Sequence, residues 1–512
     1  MPIHRLRRLT YMATAILAYF TAAAFAQSSQ HSQLWGERGE KWDPHGRLTD
    51  FSYAGYHRGE KPLPTLRPQL SVVNYGAKGD DDIDDTAAVQ KAIEAGAGKV
   101  IGIPAGRYII TDMLTIRASG TALKGAGADK TVLHFPTPLN DIKPNIGATT
   151  SGRLTSNYAW SGGFIRVEGR IDDETEFAEL TAPAKRGDTV LTVSDTRRLK
   201  RGDVVQIIQR DDDEETLVNY LYAGDPGPTG KLRRVSTAFA CRIARVDAAA
   251  KRITLDRPLR TDVGPQWSAR ITAGTSSTEE VGIEGLTFDF PVTPYMGHFT
   301  EVGYNAIAFS GVRNCWVRDV VIRNADSGMF IDAVNVTLTG IVVESERTPD
   351  ERLKATGHHG ITLSEQDCLL TDFEFRARFV HDTTMTRGSV GNVIMNGRGV
   401  DLAFDHHKYA PHANLYTNVD LGEGSRMFRS GGGADLGRHS AAWVTFWNIR
   451  AAAPQAWPKG WAPDLINLVG VQTDQPAEME ETGKWFEPIP PGELQPQNLY
   501  VAQLKRRLTK RG

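Results

Sequence analysis

The chain has 512 residues, with 59 lysines and arginines against 61 aspartates and glutamates, and a net charge of −2. Its basic residues are dispersed apart from Lys505-Arg506-Arg507 and Lys510-Arg511, so it carries no electrostatic footprint for nucleic acid. Three cysteines, Cys241, Cys315 and Cys368, exclude a disulfide framework.

Residues 1–26 read as a signal peptide. Arg5, Arg7 and Arg8 precede an apolar run from Tyr11 to Phe25, which ends in the small-x-small pattern Ala24-Phe25-Ala26. The mature chain is expected from Gln27, exported to the periplasm or the extracellular space. No later segment reaches about 18 apolar residues, so no membrane insertion is expected. A lead-in segment, 27–70, follows.

From Ser71, the stretch Val72-Val73-Asn74-Tyr75 and a glycine-rich turn lead to Asp84-Asp85-Thr86, an amphipathic spacing at Val89 and Ile93, and Gly96. That is a capped helix with a glycine stop. Strand-like pieces follow, among them Leu123-Lys124-Gly125, so 71–176 reads as the start of a solenoid whose end the helix closes. Asp80, Asp84 and Asp85 read as turn and cap residues. The segment Asn74 to Asp80, with Asp84-Asp85-Thr86 and Pro104-Ala105-Gly106-Arg107-Tyr108, resembles the opening of pectate-lyase-like β-helix proteins. Asp50 to Tyr56 resembles their lead-in. The resemblance implies a right-handed parallel β-helix. The superfamily includes polysaccharide lyases, glycoside hydrolases, epimerases and phage tailspikes, so the resemblance leaves the reaction open.

Residues 177–275 break the pattern with alternating strands separated by Gly-Asp turns, as in Val190 to Val193 and Val204 to Ile208. They read as a small inserted β domain expected to shape one wall of a groove. Its acidic run Asp211 to Glu215 reads as a solvated turn, with calcium as the alternative.

In 276–475 one phrase recurs: apolar, spacer, then Gly, Asp or Asn, then apolar, spacer, apolar. Its central residues are Gly285, Asp319, Gly340, Asp372, Asn396, Asn418, Asn448 and Gly470, 21 to 34 residues apart. Alternating apolar residues mean strands with one buried face, and Gly, Asn and Asp tolerate the left-handed bend between two of them. Stacked units of this kind without a helical period make an all-β solenoid. Cys315 and Cys368 then lie two coils apart, about 10 Å, and read as buried core thiols. Residues 476–512 are expected to cover the far end.

A third strand must lie between successive phrases. In successive coils it contains Asn305 to Phe309, Ser327 to Asp332, His358 to Leu363, His381 to Thr386, Asp405 to Lys408, and Arg426 to Arg429. Seven of the thirteen histidines, His358, His359, His381, His406, His407, His412 and His439, fall in this region. Stacked at about 5 Å per coil, these positions form a polar ladder long enough for several sugars.

Proton abstraction beside a uronate carboxylate needs a base, an acid and a cation or donors for the carboxylate. His359 and His407 are the candidate bases, with His358, His381, Asp405 and Asp382 as further catalytic candidates. Tyr304 and Tyr409 are candidate acids. Arg426 and Arg429 offer guanidinium forks; Asn305, Asp326, His406 and Lys408 complete the expected substrate contacts. Asp405-His406-His407 resembles the Asp-Pro-His motif of alginate C5-epimerases, with His406 in place of proline. Gly357-His358-His359-Gly360 is similar to the Gly-His-Gly of polygalacturonases, but the accompanying Asp-Asp pair is missing.

The leading expectation is a secreted, monomeric lyase that β-eliminates an acidic polysaccharide. The alternatives are a hydrolase using Asp382 and Asp405, a uronate epimerase, or a non-catalytic glycan-binding module. A histidine-bound metal stays open. No cofactor is demanded, and Ca²⁺ remains an option.

Overall fold

The computed structural model describes residues 30–458, 460–474 and 482–510. The proposed signal peptide and Gln27 lie outside the described residues, as do Arg511 and part of the tail. Among the described residues, no helix is long and apolar enough to cross a membrane.

The architecture is a parallel β-helix. One sheet of fifteen strands and one of seven run the length of the solenoid, and every strand pair within them is parallel. All eight central residues of the repeat phrase have positive φ, between 51° and 66°. Each therefore makes the left-handed bend that splits the strand of the long sheet into two directions. Leu123, Ile283, Val317, Leu338, Leu370, Ile394, Tyr416, Phe446 and Leu468 pair in register from coil to coil. All are buried, so one position of the phrase supplies a continuous interior column. The bend residues also stack by side chain: Asn448 donates to Asn418 at 3.2 Å and Asn418 to Asn396 at 2.8 Å.

The helix Thr86–Ala95 buries Val89, Ala92 and Ile93 against the interior of the first coil. Asp84 accepts from the Thr86 amide and hydroxyl, and Asp80 from the Arg107 amide. In the acidic run, Asp211 and Asp212 accept from the amides that begin the helix Thr216–Leu221. The three cysteines are free and buried.

Residues 176–273 hold a six-stranded antiparallel sheet with its own apolar core. This insertion does not form the groove wall expected of it. It is instead pinned to the turn at Gln366-Asp367. Asp367 meets Arg257 at 2.7 Å and also contacts Arg260, and Gln366 bonds both Ala240 and Gln206.

The tail does not plug the far end either. Trp485–Glu487 adds one more rung to the long sheet, and the helix Leu499–Thr509 then returns along its outer flank. There, with the lead-in, it covers Leu369, Val393, Leu415, Trp447 and Val469. Gln30–His31 pairs with Leu494–Gln495, Gln503 bonds Phe51 and Thr49, and Arg507 bonds Ser52 and Arg58. Outward-facing apolar residues on these coils require such a cover, because the bends leave both faces of the sheet wall apolar there.

Candidate functional site

The seven-stranded sheet runs Phe404–His407, His381–Thr386, His359–Leu363, Ser327–Val334, Asn305–Arg313, Ile165–Glu168 and Leu114–Ile116. Five of the six expected rungs form a hydrogen-bonded sheet, which two earlier coils extend, whereas Arg426 to Arg429 is a turn outside it. His359 pairs with His381, Thr384 with Asp405, and Thr386 with His407. Backbone bonds fix the rise: the His358 amide donates to Asp326 O at 2.7 Å and the His381 amide to His358 O at 2.8 Å.

This sheet floors a groove of about 1540 Å³, into which His298, His358, His359, His381 and His407 face. One wall is the segment around Lys143, Tyr158 and Trp160; another is the loop of His298 and Phe299; the third is the glycine run Gly431-Gly432-Gly433. Gly431 approaches the histidines closely. A Cβ there would lie 3.0 Å from His381 Nε2, and its amide donates to Asp405 Oδ1 at 2.7 Å.

Burial pushes the imidazoles of His358, His359 and His381 well below their ordinary range, and neighbouring imidazoles add to the effect. His407 and His298 are each lowered to about 4, again chiefly by burial. At neutral pH the groove therefore presents uncharged imidazoles with a free ring nitrogen. Two carboxyls stand behind them. Asp405 Oδ2 lies 3.4 Å from His381 Nδ1, and Glu301 Oε1 3.4 Å from His358 Nδ1. Burial raises both to about 7 against the bonds they accept, Gly431 N–H for Asp405 and Tyr295 O–H for Glu301. One ring nitrogen from each of His298, His358 and His381 lies within 4.8 Å of the other two, close enough to share a metal ion.

The remaining expected site residues lie elsewhere. Asp382 accepts from the Phe379 and Ala403 amides and pairs with Arg426 at 2.5 Å, and Arg426 also donates to Phe379 O and Asp401 O. Neither is free to hold substrate. Asp326 accepts three amides, from Val302, Gly303 and Tyr304, and pairs with Arg347 at 2.9 Å, fixing the loop that carries His298 and Glu301. Asn305 Nδ2 donates to Tyr158 O and Ser161 O, anchoring the groove wall. His406 turns inward against Tyr416, Phe446 and Trp461, where burial lowers it to about 3. Tyr304 belongs to the interior core, and Tyr409 packs with the insertion and bonds Arg233 O. Neither tyrosine lines the groove. Lys408 lies beneath Gly432. The Arg429 amide donates to Arg426 O, its side chain makes no hydrogen bond within the described residues, and its charge helps to lower His298 and His381.

Sequence reasoning missed Trp160, Phe299, Phe330, Arg166 and Arg387, all of which line the groove. It also missed a second acidic pair in the groove, Asp332 and Glu365, which are hydrogen-bonded to each other. Desolvation, then the neighbouring Asp332 carboxylate, raises Glu365 from 4.5 to about 8. An acid that ionises later in the folded state favours folding at low pH, so stability contributed by this pair falls as pH rises across that window. Glu365→Gln should flatten the decline in thermal midpoint between pH 4.5 and about 8; a slope equal to that of the parent would refute the shared proton. Solvent reaches both side chains, so the prediction concerns the slope and not its size.

Residues 69–151 match the family model described as Rhamnogalacturonase A/epimerase, pectate lyase-like. Alginate lyase 7 of Azotobacter vinelandii is 30% identical over 118 residues, 20% of this chain and 14% of that protein. Mannuronan C5-epimerase AlgE5 of the same organism is 32% identical over 117 residues, 20% of this chain and 12% of that protein. The chain thus spans about one seventh of the length of the curated relatives it matches. Among solved structures, the exopolygalacturonase of Thermotoga maritima aligns over 80% of this chain and 72% of its own, at 9% identity and a TM-score of 0.37. The fold is a parallel β-helix, and the matched family segment ends before the coils that bear His358, His359, His381 and His407.

Proposed function

We propose that the chain binds an acidic, uronate-containing polysaccharide in the groove and cleaves it by β-elimination. The observation that carries this reading is the groove's chemistry: neutral imidazoles with Arg387 on the groove wall, while neither Asp382 nor the Asp332–Glu365 pair is placed as a hydrolytic couple. Hydrolysis needs carboxyls about 5 to 9.5 Å apart. Asp382 is consumed by Arg426, and Asp332 and Glu365 share a hydrogen bond, which is closer than either stereochemical course requires.

In β-elimination a base removes the C5 proton, the carboxylate takes up the developing charge, and the bond from C4 to the leaving oxygen breaks. His407, neutral and open to the groove, suits the first step. Arg429 and Arg387 suit the carboxylate, because a guanidinium fork matches its geometry. With His359 Nδ1 accepting from the Thr384 hydroxyl at 3.1 Å, the neutral ring carries its proton on Nε2, from which it passes to the leaving oxygen. Trp160, Phe299 and Phe330 supply apolar faces on which sugar rings can stack. Epimerisation shares the first step and is the second reading, supported by the Asp405-x-His407 pattern.

Incubation with alginate and polygalacturonate should generate the ultraviolet absorbance of a carboxylate-conjugated double bond. Products should be lighter by one water than the products of hydrolysis. New reducing ends without that absorbance would establish hydrolysis. Deuterium uptake at C5 without chain shortening would establish epimerisation.

A further inference from the structure

We infer that His298, His358 and His381 form a binding site for one divalent transition-metal ion of the zinc type. This goes beyond the polysaccharide reading and does not depend on it. The three side chains come from separate places, His298 from a loop and the other two from adjacent coils. Their ligand nitrogens nonetheless lie within 4.8 Å of one another. A tetrahedral ion holds imidazole nitrogens at about 2.0–2.1 Å, so a small inward rotation of the rings completes the first shell.

The surroundings match such an ion in orientation and in charge. His358 Nδ1 faces Glu301 and His381 Nδ1 faces Asp405, each at 3.4 Å, and neither Nδ1 has a hydrogen-bond partner. Both rings therefore turn their other nitrogen, Nε2, away from the carboxyl. For His381 that atom borders Gly431 on the groove wall. A carboxylate that receives the outer N–H of a ligating histidine fixes its tautomer and raises its basicity. Here two of the three candidate ligands have a carboxyl 3.4 Å from the outer nitrogen, positioned for that role.

Neither carboxylate has an arginine or lysine partner. Glu301 accepts from Tyr295 and Asp405 from the Gly431 amide, and among the described residues Glu301 Oε2 and Asp405 Oδ2 are buried without a hydrogen-bond partner. Two buried carboxyls without a cationic partner are costly when ionised, and one dication beside them would offset that cost. The donor set selects the element. Three imidazoles suit zinc, cobalt, nickel, copper or iron, whereas calcium and magnesium require oxygen ligands. All three histidines border the groove, so the fourth position opens toward it, where water or a substrate oxygen can bind.

The pairing of His298 with the coil depends on Asp326. Its carboxylate accepts from three consecutive amides of the loop that follows His298 and holds that loop against Arg347. The loop is a built element, not a loose connection.

The test uses the full chain, stripped with a chelator and titrated with Zn²⁺ by calorimetry and with Co²⁺ by visible absorption, in the absence of polysaccharide. One equivalent should bind, with the strong d–d bands of a four-coordinate cobalt site, and Ca²⁺ should not compete. His298→Ala and His381→Ala should each weaken Zn²⁺ binding by more than about 100-fold, and Glu301→Gln by about 10- to 100-fold. His298 is only partly buried, so its variant keeps the test valid should His381→Ala fail to fold. Absence of stoichiometric Zn²⁺ binding, or parent-like affinity in the His298 variant, would overturn the site. Because the readout is binding alone, a chain that takes up Zn²⁺ but leaves uronate polymers intact would uphold this inference and refute β-elimination.

Discussion

His407→Gln should lower kcat on a uronate polymer by about 10²- to 10⁴-fold, the usual contribution of a positioned general base. Glutamine keeps the length and polarity of the side chain but has no basic nitrogen. His407 lies at the end of the last strand of the seven-stranded sheet, half-exposed, in register with Thr386 of the preceding coil. It also lies outside the three-histidine cluster. The loss should therefore appear in kcat with little change in KM, and the circular dichroism spectrum and thermal midpoint should stay near those of the parent. A variant that turns over at the parent's rate would transfer the base to His359.

Asp367→Asn should destabilise the protein by about 3–5 kcal/mol, because removing one partner of a buried ion pair leaves its counter-charge stranded. Asp367 is buried and has a φ of 56°, which asparagine tolerates, so the substitution removes charge with little backbone strain. Burial alone would raise this carboxyl. Arg257 and Arg260 outweigh that effect and hold it below the ordinary range. Its contribution is present above the unfolded carboxyl pKa and is lost as pH falls through the depressed folded value. Since both arginines belong to the insertion, chemical denaturation of the variant should show the insertion separating before the coils. A midpoint unchanged within error would mean that the two arginines find another anion.

The repeat phrase was legible because its cause is local. A left-handed bend demands Gly, Asn or Asp wherever it occurs, and all eight expected positions adopt it. The strand between phrases was legible by subtraction, since each coil must close, and this brought His358, His359, His381 and His407 onto one surface. What failed was the assignment of polar residues within that ladder. Parity along a strand does not tell whether a carboxylate such as Asp382 meets solvent or a buried guanidinium two coils away. His406 shows the same limit, one position from His407 and wholly inside the core. The groove walls were illegible for another reason: the segments bearing Trp160, His298 and Glu301 carry no repeat, so no periodicity places them beside coils far along the chain. Glu301 is the single carboxylate between Pro291 and Tyr304, and its partner His358 lies 57 residues on.

The parallel pairing of Gln30–His31 with Leu494–Gln495 concerns the order in which the molecule can be built. Synthesis delivers the lead-in first and its partners last. Trp35, Phe51 and Ala54 have no surface to cover until the coils exist, and Arg507 cannot reach Ser52 and Arg58 until the final helix is complete. The coils can stack as they emerge, each on the one before, but closure of the flank waits until Leu499–Thr509 has been made. A nascent or clipped chain lacking that helix presents Trp447, Leu415 and Val469 uncovered to whatever holds it.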